Sequence, residues 1–393
     1  MIDLSGEHRA IRDHVRTFAR EEIAPLAQQI DDEDTYPVEL VQRIGQLGVF
    51  GLELPEEWRA GVGALGDADP ISATIACEEI AWASAAVGNI VSAIRICAFA
   101  LERFGGDAVK QRWLPLLVRG AGTVAFAVTE PAAGSDLASL ATTARRDGDG
   151  YLLDGEKWPI TFAPIADAFL VLCTMDRALG TRGMAMLLVE RDRPGVTAEP
   201  AERKLGQRGT PLGGVSFDGV RVPRENLLGE EGQGFKIAMS SLDVTRIDVA
   251  SIALGLSRAA LDASRRYALK RVQFGKPIAE LQAVQFMLAE MATEIEAGQW
   301  LTWRAATVRG QGGRFTREAA MAKLFCSDNC MKHTTNAIQI LGGRGYLKGY
   351  DVERYFRDAK VTQLYDGTSE IQKVVIARHV LTDGASSTSG SNS

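Results

Sequence analysis

The chain contains 393 residues, of which 46% are apolar and 24% are charged, an ordinary composition for a globular protein. This length is too great for a single core and predicts two or three packed domains. The formal net charge of −6 argues against an extended nucleic-acid-binding surface, which needs a basic stripe, but it leaves room for a small basic pocket that binds an anionic ligand.

The first predicted domain, residues 1–122, is all-α. Ile11 and Val15 lie at helical spacing, and Pro70 is typical of the first turn of a helix. Residues 71–104 are rich in alanine and isoleucine, which predicts buried helix.

The N-terminus and the cysteines bear on where the protein acts. Residues 1–30 are charged and helical in pattern, unlike a signal peptide, and no apolar run is predicted to reach membrane-spanning length. The five cysteines show no metal or redox spacing, and Cys326 and Cys330, one helical turn apart, are expected to pack in a core. Reduced thiols without an export signal predict a cytoplasmic protein that has no membrane span.

The second predicted domain, residues 123–232, consists of short alternating runs separated by turn residues, a pattern typical of a small β-barrel or sandwich. The runs that predict strands are residues 123–128, 151–154, 168–173, 184–189 and 214–222. Between the first two runs, the sequence DGDG at residues 147–150 predicts a hairpin turn.

The third predicted domain, residues 233–382, returns to long helical periods. One helix is predicted over residues 239–271, a second opens at Pro277, and a third covers residues 316–341, a set typical of an antiparallel bundle. Residues 383–393 are small and polar and predict a disordered tail. The chain is therefore predicted to be mainly α with a central β-domain.

The strongest chemical signal is the sequence AFAVTEPAAGSD at residues 125–136. A strand there ends in a Pro/Gly loop that carries many backbone N–H groups and two hydroxyls, Thr129 and Ser135. Such a loop can present donors to a flat heteroaromatic ring and to a phosphate. Taken alone, this segment is equally well interpreted as a simple turn.

Four further segments accompany that loop. They read GEKWPIT at residues 155–161, RVQFGKPI at 271–278, QILGG at 339–343 and LYDGTSEIQ at 364–372. The five motifs, in this order, resemble those of the acyl-CoA dehydrogenases, and the resemblance extends over nearly the whole chain, to about residue 381.

This resemblance implies a three-domain fold, in which FAD lies between the β-domain and a C-terminal four-helix bundle. It implies FAD-dependent dehydrogenation of the Cα–Cβ bond of an acyl-CoA, or acyl-carrier, thioester. Electron-transfer flavoprotein is the electron acceptor that the resemblance implies. The implied assembly is a homotetramer, a dimer of dimers, that binds no nucleic acid.

The resemblance also implies cofactor contacts. In the β-domain, the residues expected to contact the flavin are Phe126, Val128, Thr129, Ile160 and Thr161. From a neighbouring subunit, the residues expected to hold the adenine–pyrophosphate half are Arg271, Phe274, Gln282, Gln339, Gly342 and Gly343. Thr368 and Glu370 are expected to close over the cofactor. Arg271 suits this role because a guanidinium binds a diphosphate bidentately.

For the thioester, the resemblance implies contacts from Ser135, Asp243, Arg246 and Gly367. Arg246 has an alternative interpretation, because it can pair with Asp243 within its own helix.

The resemblance implies a glutamate as the base that removes the α-proton, and here that position is Asp366. The base position of some branches falls at Thr245, which cannot serve. A carboxylate beside an apolar acyl slot has a raised pKa, which suits a general base. Aspartate reaches about 1.5 Å less than glutamate, and such a displacement can cost about 100-fold in rate. We therefore expect a shifted loop or a bulky, branched or cyclic acyl group; the alternative is that Asp366 is vestigial and the chain does not dehydrogenate.

Two further positions depart from expectation. Relatives carry tryptophan where this chain has Pro159, and the tryptophan here is Trp158, one residue earlier. Because strand side chains alternate faces, Trp158 should point away from the flavin unless a bulge intervenes. Arg95 lies in an apolar stretch near the expected acyl chain, where it either meets a substrate carboxylate or pairs with a protein acid such as Glu102.

Two other functions remain open from the sequence. The first is a flavin oxidase or monooxygenase of the same fold, because nitroalkane oxidases of this type use an aspartate base. The second is a non-catalytic subunit that partners an active paralogue. Ser135 and Arg246 favour a CoA thioester over the first alternative.

Overall fold

The computed structural model describes residues 4–59, 61–63, 65 and 69–387. Its N-terminal part is helical, as predicted. The helices are α1 (Gly6–Phe18), α2 (Ala27–Glu33), α3 (Val38–Leu47), α4 (Pro70–Ala83), α5 (Ala85–Phe104) and α6 (Asp107–Val118). Helix α4 begins at Pro70, because the Asp69 carboxylate accepts a hydrogen bond from the backbone N–H of Ser72.

The buried stretch predicted over residues 71–104 forms two helices rather than one. Ser84 separates α4 from α5 with extended backbone angles, φ −156° and ψ 117°, and its hydroxyl accepts a 3.4 Å hydrogen bond from Val87 N–H. Within the described chain, α5 is long and apolar enough to cross a membrane by length and composition, which corrects the expectation that no run reaches that length. Most of α5 is buried against its neighbours, as in the core helix of a folded domain.

The central domain is a sheet of eight strands, ordered β6-β7-β3-β2-β4-β5-β8 with β1 paired to β4. The strands are β1 (Val124–Ala127), β2 (Thr143–Asp147), β3 (Gly150–Thr161), β4 (Ala168–Thr174), β5 (Met184–Glu190), β6 (Val196–Ala198), β7 (Leu212–Pro223) and β8 (Leu227–Leu228). All five predicted runs are strands, and Asp147 pairs with Gly150 at the predicted hairpin. Three strands were not predicted: β6 and β8, which have only three and two residues, and β2, which reads TARRD and whose charged residues hide the alternation.

The C-terminal part is a helical bundle with one small hairpin. Its elements are α7 (Gly234–Lys270), β9 (Val272–Gln273), β10 (Lys276–Pro277), α8 (Gln282–Gly310), α9 (Thr316–Leu341), α10 (Asp351–Lys360) and α11 (Ser369–Ser387). Helix α9 has the predicted bounds, while α8 begins five residues after Pro277. Helix α11 continues through Ser387, although the sequence predicts a tail from residue 383; residues 388–393 lie outside the described residues.

Helix α7 joins the domains, because it packs against α4 and α5 as well as α8 and α9. Its crossing with α4 is close at Gly255, where an added Cβ would lie 2.3 Å from the carbonyl oxygen of Glu78. Only glycine permits this approach.

All five cysteines are buried free thiols, in α4, α5, β4 and twice in α9. The prediction of core packing for Cys326 and Cys330 is confirmed, because both are nearly inaccessible to solvent.

Candidate active site

The turn that carries Asp366 lies between a short 3-10 turn, Val361–Gln363, and helix α11. Asp366 and Gly367 both have left-handed backbone angles, with φ +52° and +88°. Glycine suits the second of these positions, because its backbone angle is one that residues with a Cβ rarely adopt.

Side chains from three helices donate hydrogen bonds to the two carbonyl groups of this turn. Nε of Arg246 on α7 is 3.3 Å from the carbonyl oxygen of Asp366. Nε2 of Gln372 on α11 is 2.7 Å from the carbonyl oxygen of Gly367. Nζ of Lys323 on α9 is 2.8 Å from the same oxygen. The Asp366–Gly367 turn is therefore held by tertiary contacts as well as by its own sequence.

The carboxyl group of Asp366 lies in an environment that changes its pKa. Burial raises its pKa, while a hydrogen bond from Thr245 and the charges of Lys323 and Arg246 act in the opposite direction. A carboxylate with a raised pKa is a better general base near neutral pH than a fully hydrated one. The environment of Asp366 therefore agrees with the predicted role.

Arg246 forms the ion pair with Asp243 that was one of its two interpretations from the sequence, and it also contacts the Asp366 turn, which was not predicted. Its Nη1 atom is 2.5 Å from Oδ1 of Asp243, the ion pair within the helix, while its Nε reaches the turn. Oδ2 of Asp243 accepts a 2.6 Å hydrogen bond from the hydroxyl of Thr316. Asp243 also lines a cavity of about 350 Å³ between α5, α7 and the α8–α9 turn.

The β-domain residues predicted to contact a flavin come together at the ends of β1 and β3. The backbone N–H of Trp158 donates a 3.0 Å hydrogen bond to the carbonyl oxygen of Thr129. Beneath it, the fully buried Lys157 bonds the carbonyl oxygen of Val128 at 3.1 Å and pairs with Glu130 at 2.8 Å. Phe126, Thr129 and Thr161 are partly exposed, whereas Val128 and Ile160 are buried. Ser135 lies exposed in the loop that follows.

A bulge is present at the position of Trp158. The pairing of β3 with β7 shifts by one residue between Lys157 and Ile160, which is the condition under which the alternation argument fails. Trp158 is 39% exposed, and its indole N–H donates a 3.0 Å hydrogen bond to the carboxylate of Glu202. The side chain is thus held at the surface by an acid.

Three of the C-terminal residues predicted to contact a cofactor line a groove of about 550 Å³. Arg271, Gly342 and Gly343 line it, together with residues of α7 and of the turn after α9. Phe274, at the tip of the β9–β10 hairpin, is 90% exposed with φ +53°. Gln282 and Gln339 are also exposed. The predicted set therefore faces outward, as residues that serve a neighbouring subunit must.

This groove fits the diphosphate-bearing half of FAD. A half-buried guanidinium lies beside two glycines, and apart from their own stretch of chain no described atom is within 4 Å of the position that a Cβ would take on either of them. Backbone N–H groups can be approached closely there, and the guanidinium can bind a diphosphate bidentately. Thr368 accepts a hydrogen bond from Ile371 N–H at the start of α11, and Glu370 is exposed. Among the described residues, no cluster of His, Cys, Asp or Glu could hold a metal ion.

Arg95 pairs with protein acids, but not with the one predicted. Its Nη1 atom is 2.7 Å from Oδ1 of Asp248, and its Nη2 atom contacts Glu53. Arg309 reaches the same Glu53 carboxylate at 2.7 Å. Glu102 is not among these partners. Its place is taken by Glu53, in a loop, and by Asp248, on α7, both distant from Arg95 in the sequence. The guanidinium of Arg95 is thus already neutralised by the protein.

Sequence reasoning missed Lys323 and Gln372 as parts of this site. The one available signal was a lysine on the otherwise apolar stripe of α9, in the run AAMAKLFC. Lys323 bonds a carbonyl group that is more than forty positions away in the sequence, and Gln372 bonds the turn that precedes its own helix. No local sequence pattern encodes either contact.

Comparison with known proteins gave three consecutive family matches. They are "Acyl-CoA dehydrogenase, N-terminal domain" over residues 5–121, "middle domain" over 125–220 and "C-terminal domain" over 232–381. The short-chain specific acyl-CoA dehydrogenase of Bos taurus mitochondria is 42% identical over 381 residues, which is 97% of this chain and 91% of that protein.

Two solved structures are similar over nearly their whole length. The butyryl-CoA dehydrogenase of Megasphaera elsdenii has a TM-score of 0.93 and 38% identity, covering 97% of this chain and 100% of that one. A chain in a structure of the electron transferring flavoprotein of Acidaminococcus fermentans has the same TM-score, 0.93, and 38% identity, covering 97% and 99%.

Proposed function

Because the chain belongs to the acyl-CoA dehydrogenase family, an FAD-dependent enzyme family acting on acyl-CoA, we propose that it oxidises the Cα–Cβ bond of an acyl-CoA thioester with Asp366 as the general base. The observation that carries this proposal is the Asp366 turn, which bears a carboxyl of raised pKa and whose backbone carbonyl groups accept hydrogen bonds from Arg246, Gln372 and Lys323.

The proposed chemistry is a proton transfer coupled to a hydride transfer. The thioester carbonyl acidifies the Cα–H bond, and the carboxylate of Asp366 takes that proton. The electron pair left on Cα forms the double bond to Cβ. Bound FAD supplies the acceptor for the hydride that leaves Cβ. Asp366 ends the step protonated and returns to the carboxylate by proton loss.

The residues that would hold FAD come from two surfaces. Phe126, Val128, Thr129, Ile160 and Thr161 would contact the flavin from the β-domain of one subunit. The groove lined by Arg271, Gly342 and Gly343, with the exposed Phe274, Gln282 and Gln339, supports a shared site in which a neighbouring subunit binds the other half. Thr368 and Glu370 would complete it. This division requires at least a dimer and is compatible with a dimer of dimers.

The proposed substrate is a CoA thioester whose acyl group compensates for the shorter side chain of Asp366. Ser135, Asp243, Arg246 and Gly367 are the proposed contacts to the thioester and its CoA part. Aspartate reaches about 1.5 Å less than glutamate, so a branched or cyclic group that brings its α-proton closer is favoured over a slim straight chain. Electron-transfer flavoprotein, a partner consistent with the family, is the proposed electron acceptor.

The test is anaerobic bleaching of the flavin spectrum by a panel of straight, branched and cyclic acyl-CoA thioesters, with the matching pantetheine thioesters alongside. We expect at least one thioester to bleach the wild-type protein. Asp366→Asn should keep its FAD and be reduced at least about 100-fold more slowly, in line with usual general-base contributions. Asp13→Asn, an exposed aspartate on α1, is the matched control and should behave like the wild type.

Three results would contradict the proposal. Wild-type-like reduction of Asp366→Asn would mean that another group takes the proton. Fast reoxidation in air after reduction would favour the oxidase or monooxygenase alternative. A purified chain that holds no FAD and cannot be reconstituted would favour a non-catalytic subunit.

A further inference from the structure

Lys323 is one of the largest fully buried side chains among the described residues, and the proton and hydride transfers outlined above give it no chemical role. It lies on α9 with no exposure to solvent, yet among the described residues its ammonium group forms no ion pair of the kind that joins Lys157 to Glu130. Its hydrogen bond goes to the carbonyl oxygen of Gly367, at 2.8 Å. Burying a charge without a paired opposite charge costs free energy, so this lysine calls for an explanation.

Helix α9 holds the whole segment around that carbonyl group. The hydroxyl of Ser327 donates to the carbonyl oxygen of Thr362 at 2.9 Å. Oδ1 of Asp328 accepts hydrogen bonds from Gln363 at 2.7 Å and from Ser369 at 2.9 Å, on either side of the base. Lys323 binds the centre of the same segment. These contacts fix both ends and the middle of the turn to one helix.

The turn needs such support because its backbone is unfavourable. Two consecutive residues, Asp366 and Gly367, have left-handed angles, and the first of them carries a side chain. A non-glycine residue in this region costs of order 1 kcal/mol and persists only where its surroundings impose it. The direction in which the Asp366 carboxylate points depends directly on this backbone.

We propose that Lys323 is a positioning residue for the reaction, holding the Asp366–Gly367 turn through the Gly367 carbonyl and placing a positive charge beside the Asp366 carboxylate. This inference rests on the proposed function, because it assigns Lys323 its role through Asp366. It concerns the geometry and ionisation of the base and adds no new chemical step.

The electrostatic part follows from the charged groups that face Lys323. These are Asp366 on the turn, Arg246 on α7, Asp328 on α9 itself and Glu370 on α11. Burial lowers the pKa of Lys323 to about 8, with the acids opposing that shift, so the side chain is a cation at neutral pH. That cation lowers the pKa of Asp366 and partly offsets the effect of burial. Without it, Asp366 would be protonated to a higher pH and less of it would be active as a base.

Two substitutions separate the hydrogen bond from the charge. Lys323→Met removes both and keeps the apolar stem. Lys323→Gln removes the charge but retains an N–H donor for the Gly367 carbonyl, and it serves alone if the methionine variant does not fold. Lys332→Met is the matched control, because Lys332 lies on the same helix, half exposed, and pairs with Glu290 and Glu294.

The first measurement is the pH dependence of the limiting rate of flavin reduction by the best thioester of the panel, with FAD content checked for each variant. The apparent pKa of the base should rise by about one unit in both Lys323 variants, since a nearby opposite charge shifts a carboxyl by about 1–3 units. The rate above that pKa should fall by about 10-fold or more in Lys323→Met, because about 1 Å of misplacement can cost about 100-fold. Lys323→Gln should keep most of that rate, and Lys332→Met should match the wild type.

The second measurement needs no substrate. The infrared band of the Asp366 carboxylate is isolated by subtracting the spectrum of an Asp366→Asn variant, and its intensity is followed as a function of pH. The same subtraction is made in the Lys323→Gln protein, with the corresponding double variant. A higher midpoint in Lys323→Gln supports the inference even if no thioester of the panel reduces the flavin, in which case only the proposed function fails. Equal midpoints, or unchanged pH profiles with a lowered thermal stability, would show that Lys323 serves packing alone and would overturn the inference.

Discussion

Asp366 adopts a backbone conformation that suits its own side chain better than a longer one. With φ +52° it lies in the left-handed region, where aspartate and asparagine are enriched because their short polar groups bond locally. Glutamate lacks that advantage and adds about 1.5 Å of reach. The residue found here is therefore consistent with its turn as well as with an altered substrate.

Substituting Asp366→Glu tests that adaptation. We expect the variant to retain FAD and to be reduced about 10- to 100-fold more slowly by the substrate that best reduces the wild type, because the carboxylate is displaced. Its rate with straight-chain acyl-CoAs should rise relative to that substrate. Stopped-flow reduction by both kinds of thioester measures the ratio, and faster reduction by the preferred substrate would show that the pocket is not adapted to aspartate.

Arg95 supplies a second prediction at the residue scale. Arg95→Met would leave the buried carboxylates of Asp248 and Glu53 with one cation fewer, and Asp248 already has a pKa raised to about 6 by burial. Breaking a buried pair in this way typically costs about 3–5 kcal/mol of the free energy of unfolding.

Urea unfolding followed by circular dichroism, at fixed protein and FAD concentrations, measures that loss. Arg146→Met is the control, because the Arg146–Glu231 pair has an arginine side chain that is 74% exposed, and it should cause a much smaller loss than Arg95→Met. Equal losses in the two variants would contradict the assignment of Arg95 to a buried network.

Among elements, the crossing of α4 and α7 is the closest contact between the N-terminal and C-terminal helices described above. Gly255→Ala would place a Cβ 2.3 Å from the Glu78 carbonyl oxygen, so the two helices must move apart. Overpacking of this kind costs about 1–3 kcal/mol. Thermal unfolding of both variants measures the effect. At Gly310 the nearest atom from another part of the chain would lie 3.4 Å from an added Cβ, so Gly310→Ala should be neutral, and a Gly255→Ala variant as stable as the wild type would contradict the packing described.

Helices and strands could be predicted from the sequence where their own residues carry a helical or alternating pattern of apolar side chains. Residues 316–341 gave α9 with its bounds, and the alternating runs gave five strands. The break at Ser84 was not predicted, because a serine between alanines gives no strong stop signal and tertiary packing decides it. Asp366 and Arg246 could be placed in a site by resemblance, whereas Lys323, Gln372 and the partners of Arg95 depend on contacts between distant segments.

For the whole molecule, the central prediction is that the cofactor site is shared between subunits. Arg271→Ala should lower FAD occupancy and loosen association together, because the same surface would hold the diphosphate and meet the neighbour. Size-exclusion chromatography with light scattering, at several FAD concentrations, measures both. Arg265→Ala, on the same helix and mostly exposed, should change neither. Full FAD occupancy in an Arg271→Ala monomer would rule out the shared site.

The buried cysteines give the folded chain a set of intrinsic reporters. Burial raises the pKa of Cys173, Cys326 and Cys330 to about 12, and it raises those of Cys77 and Cys97 as well. Alkylating reagents attack the thiolate, so the native protein should react slowly at every one of these positions. Modification at each thiol then occurs only when its surroundings open. Labelling rates measured for each cysteine-containing peptide by mass spectrometry therefore report how often α4, α5, β4 and α9 open in the unaltered protein. Repeating the measurement after FAD is withdrawn would show which domain loosens first.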